Sequence, residues 1–400
     1  MAWCVAVCIL VITATRVYGQ KVVDERVIQK AHHFAPELFM KAPDRAEKDG
    51  YPMETHYVLT DDDYVLALHR IPGEESSPPV LFQHGQTSMS DSWIAFSENR
   101  SLAYQLWENG YDVWLGNVRG NLYCKNHITM KPSDPEFWKF SWHEMGMYDL
   151  AASIDYILNT TGHEQLFYVG HSMGGTMAYV LLSMRPEYNT KMRLVINLSS
   201  SAFGSHVTSL STYSGTINWG LFKAYLDVTG SYELLPYSES TIAELYFVCG
   251  NSTSAHATCK NLFSQTFGKS DGVSEKDVPL LAVMGMGGIS AFTAWHYVQV
   301  VQTGKFQQFN FGPEENQRRY GSREPPEYNL KMVTAPVAIH YGYTDEHNSE
   351  KDILRVAAIL PNVTEIRKVP AKYFNHLDFI SHKRAKELLY DHIVNSLEEY

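Results

Sequence analysis

The chain of 400 residues is short of positive charge, of cysteine and of long apolar runs, and each shortage narrows what it can be. Against 44 Asp and Glu stand only 33 Lys and Arg, a net charge of −11 that opposes a phosphate backbone and argues against a nucleic-acid partner. The five cysteines form no CxxC pair and no regular His/Cys cluster, so no zinc or other metal site is expected. A bilayer anchor needs about 20 consecutive apolar residues, and no such stretch occurs. The one pronounced run, Ala2 to Ile12, is shorter, and it leads to Val17-Tyr18-Gly19, where small or modest residues sit at positions a signal peptidase reads. Residues 1–19 are therefore expected to be a secretory leader. Internal repeats and low-complexity tracts are missing too.

A secretory route gives the remaining cysteines a meaning. Cys4 and Cys8 leave with the leader, and Cys124, Cys249 and Cys259 stay. In an oxidising compartment Cys249 and Cys259 can close a local loop, which leaves Cys124 free and buried; the alternative is two unpaired thiols. Five Asn-x-Ser/Thr sequons occur. Those at Asn99, Asn159, Asn251 and Asn362 lie beside turn-like residues where a glycan can face water. Asn197 lies inside the apolar strand RLVINLSS and is expected to stay bare.

At about 150 residues per domain, the length fits two or three compact units or one large core with an insertion. From Glu54 onward, strand-like runs alternate with amphipathic helical ones, the pattern of a parallel sheet with helical crossovers. The strands are HYVLT, YVLALHRI, VLFQHG, YDVWLGNV, QLFYVG and RLVINLS, and helices are expected at Ser101 to Glu108 and Asp149 to Leu158. After Ser201 the rhythm stops for about 130 residues. It resumes with APVAIHYG, TEIRKVP and a terminal amphipathic helix from Lys383 to Leu397. The expected division is an α/β core over 20–201 and 331–400 with an inserted, mainly helical cap over 202–330. PEENQRRYGSREPPEYN reads as a polar connector from the cap back to the core.

Between the strand QLFYVG and the helix GGTMAYVLLSM only His171, Ser172 and Met173 remain, so the turn must be very sharp. Gly170-x-Ser172-x-Gly174 fits a nucleophile elbow, in which glycines let strand and helix approach and the serine hydroxyl stands exposed. The helix behind it directs unpaired N–H groups and the positive end of its dipole at that hydroxyl. As a bare pattern G-x-S-x-G is often only a turn; a preceding strand and a following helix favour the nucleophile. A serine nucleophile needs a base oriented by a carboxylate, and in an α/β sheet of this kind the chain order is serine, acid, histidine. Asp345 follows the strand PVAIHYG, and His376 follows TEIRKVP, just before the last helix. Their competitors are Glu346 and Asp378, and His340, His347, His382 and His392, which are read as surface or packing residues. Two N–H groups would bind an oxyanion, one from Met173 and one from the loop after VLFQHG, assigned to Gln86.

These residues resemble the animal acid lipase family, which contains the gastric and lysosomal lipases and many secreted insect relatives. The likeness runs through GYPMETHYVLTDDDYVLALHRIP, LFQHG, GYDVWLGNVRGN, PEFWKFSWHEMGMYDLAASIDYI, GHSMGG, AWHYVQVVQTGKFQQFNFG and NHLDF, nearly the whole mature chain. It implies an α/β-hydrolase fold with a cap and lid over the site, a Ser172, Asp345 and His376 triad, and hydrolysis of water-insoluble esters such as triacylglycerols or sterol esters at a lipid–water interface. It implies no cofactor, and a secreted or lysosomal destination. Four positions depart from the usual pattern: Asp63 stands where a hairpin glycine is common, Cys124 where serine is, Met173 where glutamine is and Gln86 where leucine is. A smaller-substrate esterase or acyltransferase, or a lipid-binding protein on the same fold, are the alternative readings.

Overall fold

The computed structural model describes residues 24–400 except 97, 210–218 and 251–252; the expected leader and Asn251 lie outside this set. Eight strands form one continuous sheet: β1 (Glu54–Leu59), β2 (Tyr64–Ile71), β3 (Pro79–Gln83), β4 (Asp112–Gly116), β5 (Leu166–His171), β6 (Met192–Leu198), β7 (Val337–Tyr341) and β8 (Val363–Lys368). Their order is β1-β2-β4-β3-β5-β6-β7-β8, with the two-residue strand Asn126–His127 beside β2. β1 and β2 form an antiparallel hairpin, β2 meets β4 antiparallel, and every later pairing is parallel.

The inner parallel strands, β3 to β7, are buried on both faces because helices cover both, whereas the edge strand β8 is half exposed. Successive side chains alternate across the sheet. In β3, Val80 and Phe82 join one core cluster while Leu81 joins the other; in β5, Phe167 and Val169 oppose Leu166 and Tyr168. The hairpin turn of β1 and β2 holds Asp63 at φ 70, the left-handed bend a glycine enters freely. Arg119 crosses the core beneath that turn, its guanidinium on Asp149 Oδ1 at 2.7 Å and on both oxygens of Asp62. Cys124 is free and buried, its sulfur taking the Ala67 amide at 3.2 Å, and burial raises the thiol pKa strongly.

Between β6 and β7 the described residues add no strand to this sheet. They form helices at Trp219–Thr229, Glu239–Leu245, Thr253–Phe267, Val278–Met284 and Ala291–Thr303, and one two-stranded ribbon, Glu233–Leu234 with Ile289–Ser290. Cys249 and Cys259 form a disulfide within this region.

Three details differ from the sequence reading. The polar connector begins as a helix, Pro313–Tyr320, with Pro at its start, Glu314 and Glu315 in the first turn, Arg318 and Arg319 in the last, and Gly321 at φ 70 closing it. The terminal helical segment starts at Lys386 rather than Lys383, whose amide is spent on Gly272 O at 3.1 Å, and runs to Glu398. Among the described residues, two α-helices precede the sheet, Glu25–Phe34 and Ala42–Asp49. Ala35 and Leu38, just after the first of these, pack on Ile242, Leu281 and Met284 of the long region between β6 and β7.

Candidate active site

All the candidate groups lie just past the carboxyl ends of β3, β5, β7 and β8, the edge where open α/β sheets place their ligands. Ser172 is the joint between β5 and the helix Met173–Met184, at φ 53 and ψ −117. Its amide donates to Leu198 O of β6 at 3.0 Å, so the bend is tied to the sheet. The glycines are steric necessities. A Cβ on Gly170 would stand 2.6 Å from the Gly175 nitrogen, and one on Gly174 would stand 2.3 Å from Gln83 O of β3.

The three side chains that the chain order separates meet here. Ser172 Oγ donates to His376 Nε2 at 2.9 Å, and His376 Nδ1–H donates to Asp345 Oδ2 at 2.9 Å. This direction follows from the ionised carboxylate, which only accepts, and it leaves Nε2 free to take the hydroxyl proton. The Asp345 side chain is out of solvent. Burial pushes its pKa up, but the charge and hydrogen bond of His376 and the hydroxyl of Ser199 outweigh that and hold it below the usual value. Ser172 is half-buried and opens on a cavity of about 260 Å³ lined by Gln86, Thr176, Phe203, Tyr297 and Phe306 among others.

Met173 is buried, and as the first residue of its helix its N–H has no partner within that helix. Gln86 is on the cavity wall, and the neighbouring Gly85 is so near Ser172 that a Cβ on it would lie 3.1 Å from Ser172 Cβ. The two rejected carboxylates point elsewhere: Asp378 accepts the Asn375 amide at 2.7 Å and the Ser270 hydroxyl at 2.6 Å, and Glu346 takes the Thr208 hydroxyl.

Among the competing histidines, His340 is buried in β7, His382 pairs with Asp271 and His392 with Glu365. His347 differs from its reading as a surface or packing residue. It lines the cavity, with its ring 4.8 Å from that of His376 and its amide on Asp345 Oδ1 at 2.8 Å. Burial, with the His376 charge, pushes its pKa down to about 3. His171 was passed over in the sequence as the variable residue of the elbow. Its Nε2–H donates to the His376 carbonyl at 2.8 Å, and burial lowers its pKa to about 3, so it holds the loop as a neutral ring.

Phe267 and its neighbours clamp the acid and histidine loops from the other side. Phe267 O accepts the His376 amide at 3.3 Å, and Gly268 O accepts Asn375 Nδ2 at 2.8 Å. Gly287 donates to Thr87 O at 2.7 Å, beside Gln86. Of the candidate glycan acceptors, Asn99, Asn159 and Asn362 are exposed, and Asn197 is fully buried in β6. No cluster that could hold a metal ion occurs among the described residues, and none of their helices is long and apolar enough to cross a membrane.

A serine elbow, a hydrogen-bonded imidazole and carboxylate, and this strand order define an α/β hydrolase. Residues 78–212 match the family model for the alpha/beta hydrolase fold, and residues 42–97 match a partial alpha/beta-hydrolase lipase region. The chain is 38% identical to Lipase 3 of Drosophila melanogaster over 89% of its length and 92% of the fly protein's. It is 33% identical to human gastric triacylglycerol lipase, covering 92% of this chain and 94% of that one. It is 34% identical to human lysosomal acid lipase/cholesteryl ester hydrolase, over 91% and 92%. The chain belongs to the gastric and lysosomal acid lipase family.

Proposed function

We propose that the protein is a serine lipase that hydrolyses carboxylic esters of neutral lipids, triacylglycerol or sterol ester, through an acyl-enzyme on Ser172. The observation that carries the reading is the unbroken hydrogen-bonded line from Ser172 Oγ through both nitrogens of His376 to Asp345. Ser172 attacks the ester carbonyl as His376 Nε2 takes its proton, and Asp345 stabilises the imidazolium. The Met173 and Gln86 amides bind the oxyanion. His376 returns the proton to the leaving alcohol, and water repeats the sequence to free the fatty acid. No residue in this sequence of steps requires a cofactor.

The names of the relatives support the substrate class: one acts on triacylglycerol and another on cholesteryl ester. In this reading residues 1–19 are the secretory leader, 20–201 and 331–400 the hydrolase core, and 202–330 the cap that shelters the acyl chain. Asn99, Asn159, Asn251 and Asn362 carry glycans, and the protein is secreted, with the lysosome as the alternative destination.

Covalent labelling by a fluorophosphonate, paired with fatty acid release from emulsified long-chain triacylglycerol, tests the proposal. Labelled wild type, unlabelled Ser172→Ala and long-chain release are expected. Release from soluble short-chain esters alone would make it an esterase, and an unlabelled wild type would make it a lipid-binding protein.

A further inference from the structure

Asp345 is held by more than one histidine. Its Oδ1 accepts the amides of His347 and Asn348 at 2.8 and 2.9 Å. Its Oδ2 accepts His376 Nδ1–H and the hydroxyl of Ser199. A carboxylate offers about four acceptor positions, so Ser199 takes the last. Because the ionised acid can only accept, the serine donates. The same hydroxyl oxygen lies 3.4 Å from His376 Nδ1, in contact with both partners at their junction.

Ser199 directly follows β6 in a left-handed bend, φ 50. Its amide donates to His340 O of β7 at 2.8 Å, and its carbonyl takes Asn348 Nδ2–H at 2.7 Å. Asn348 thereby grips Ser199 with its side chain and Asp345 with its backbone. A non-glycine residue persists in such a bend only where its surroundings determine it several times over, and these residues cluster at functional sites. The five among the described residues are Asp63, Thr87, Ser172, Ser199 and Leu235, and three of them stand in the loops after β3, β5 and β6 at the site edge.

We propose that Ser199 is a positioning residue of the triad, whose hydroxyl locks the Asp345 carboxylate against His376. The inference rests on the reading of Ser172, His376 and Asp345 as that triad. The same hydrogen bond stabilises the charged form of Asp345 and so helps keep it ionised in acid. The other titratable groups around the pair leave it this role. His171 beneath and His347 beside it stay neutral down to about 3. Burial pushes Asp378 up to about 7, so it is protonated in mild acid. Glu346 and Asp271 are engaged by Thr208 and His382.

Ser199→Ala and Ser199→Gly, assayed on a soluble p-nitrophenyl ester from pH 3 to 8, test this. Both remove the hydroxyl, but glycine also relaxes the bend, so Ser199→Gly is expected to unfold no lower than Ser199→Ala. Losing a charge-assisted hydrogen bond is expected to lower kcat about tenfold with KM unchanged. The acid limb of the profile is expected to move up, because Asp345 loses a hydrogen bond that favours its charged form. Wild-type kcat and an unmoved acid limb in both variants would overturn the proposal while fluorophosphonate labelling of the wild type upholds the triad. So would a kcat loss that follows melting temperature and leaves the acid limb in place. A wild type that is not labelled would overturn the triad and this inference together.

Discussion

Gly174 offers the sharpest test of how the elbow is built. A methyl group there would sit 2.3 Å from the carbonyl oxygen of Gln83 and 2.9 Å from its carbon, both backbone atoms that no rotamer can move. Ordinary contact begins at 3.4 Å, so Gly174→Ala must part the helix start from the end of β3 by about 1 Å. Met173 rides on the first of these elements and Gln86 follows the second. The two proposed oxyanion donors are therefore pulled apart. Overpacking of this kind costs about 1–3 kcal/mol, and a misplacement of about 1 Å at reacting groups can cost about a hundredfold in rate. Melting temperature and kcat/KM on a soluble ester would be measured for Gly174→Ala beside Gly220→Ala, where a Cβ meets no atom of the described residues within 4 Å. The expected result is a hundredfold loss for the first and wild-type rates for the second. Gly174→Ala with kcat/KM within threefold of wild type would show that the close approach does not set the geometry, and the steric argument would fall.

Ser172→Ala is expected to lower kcat on the order of a million-fold without lowering the melting temperature, read by ester hydrolysis and calorimetry. Arg119→Met strands the buried Asp149, and its loss of about 3–5 kcal/mol should appear in urea unfolding. Burial pushes Asp149 up to about 6, so that deficit should be smaller at pH 5 than at pH 8. Removing the Cys249–Cys259 link by a double serine substitution should cost about 3 kcal/mol, the chain-entropy value for so short a loop. His347 keeps its ring neutral to about 3 in the fold but gains a proton near 6.5 when unfolded, so it lowers stability as pH falls through that window, and His347→Gln should flatten the fall in melting temperature. Asp378 has the opposite sign: protonated up to about 7 in the fold, it lowers stability as pH rises above 3.8, and Asp378→Asn should lose less melting temperature between pH 5 and 8 than wild type does.

The centre of the sheet was legible because its strands are short, doubly buried apolar runs with sharp polar boundaries; β5 and β6 lie where QLFYVG and RLVINLS place them. Asp345 and His376 could be chosen from many carboxylates and 17 histidines because each follows a strand that had already been recognised. Ser199 passed unnoticed in a run of three serines after β6, although a polar cluster at a strand's carboxyl end was itself a signal. His347 was passed over because only the fold turns its ring toward His376. The helix Pro313–Tyr320 was missed through a preference for composition over capping: its proline, paired acids, paired arginines and glycine are the marks of a helix start and stop. The helix Glu25–Phe34 had an N-cap in Asp24 but lay outside the α/β rhythm that guided the reading.

The bend at Ser172 has a last implication for how this protein can be improved. Selection for heat resistance alone, in a laboratory or a library, would drift toward glycine at that joint, because glycine relieves the one torsion the chain resists there. Screens that score survival without turnover should therefore enrich durable but inert molecules, and the hydroxyl will be kept only where turnover is selected as well.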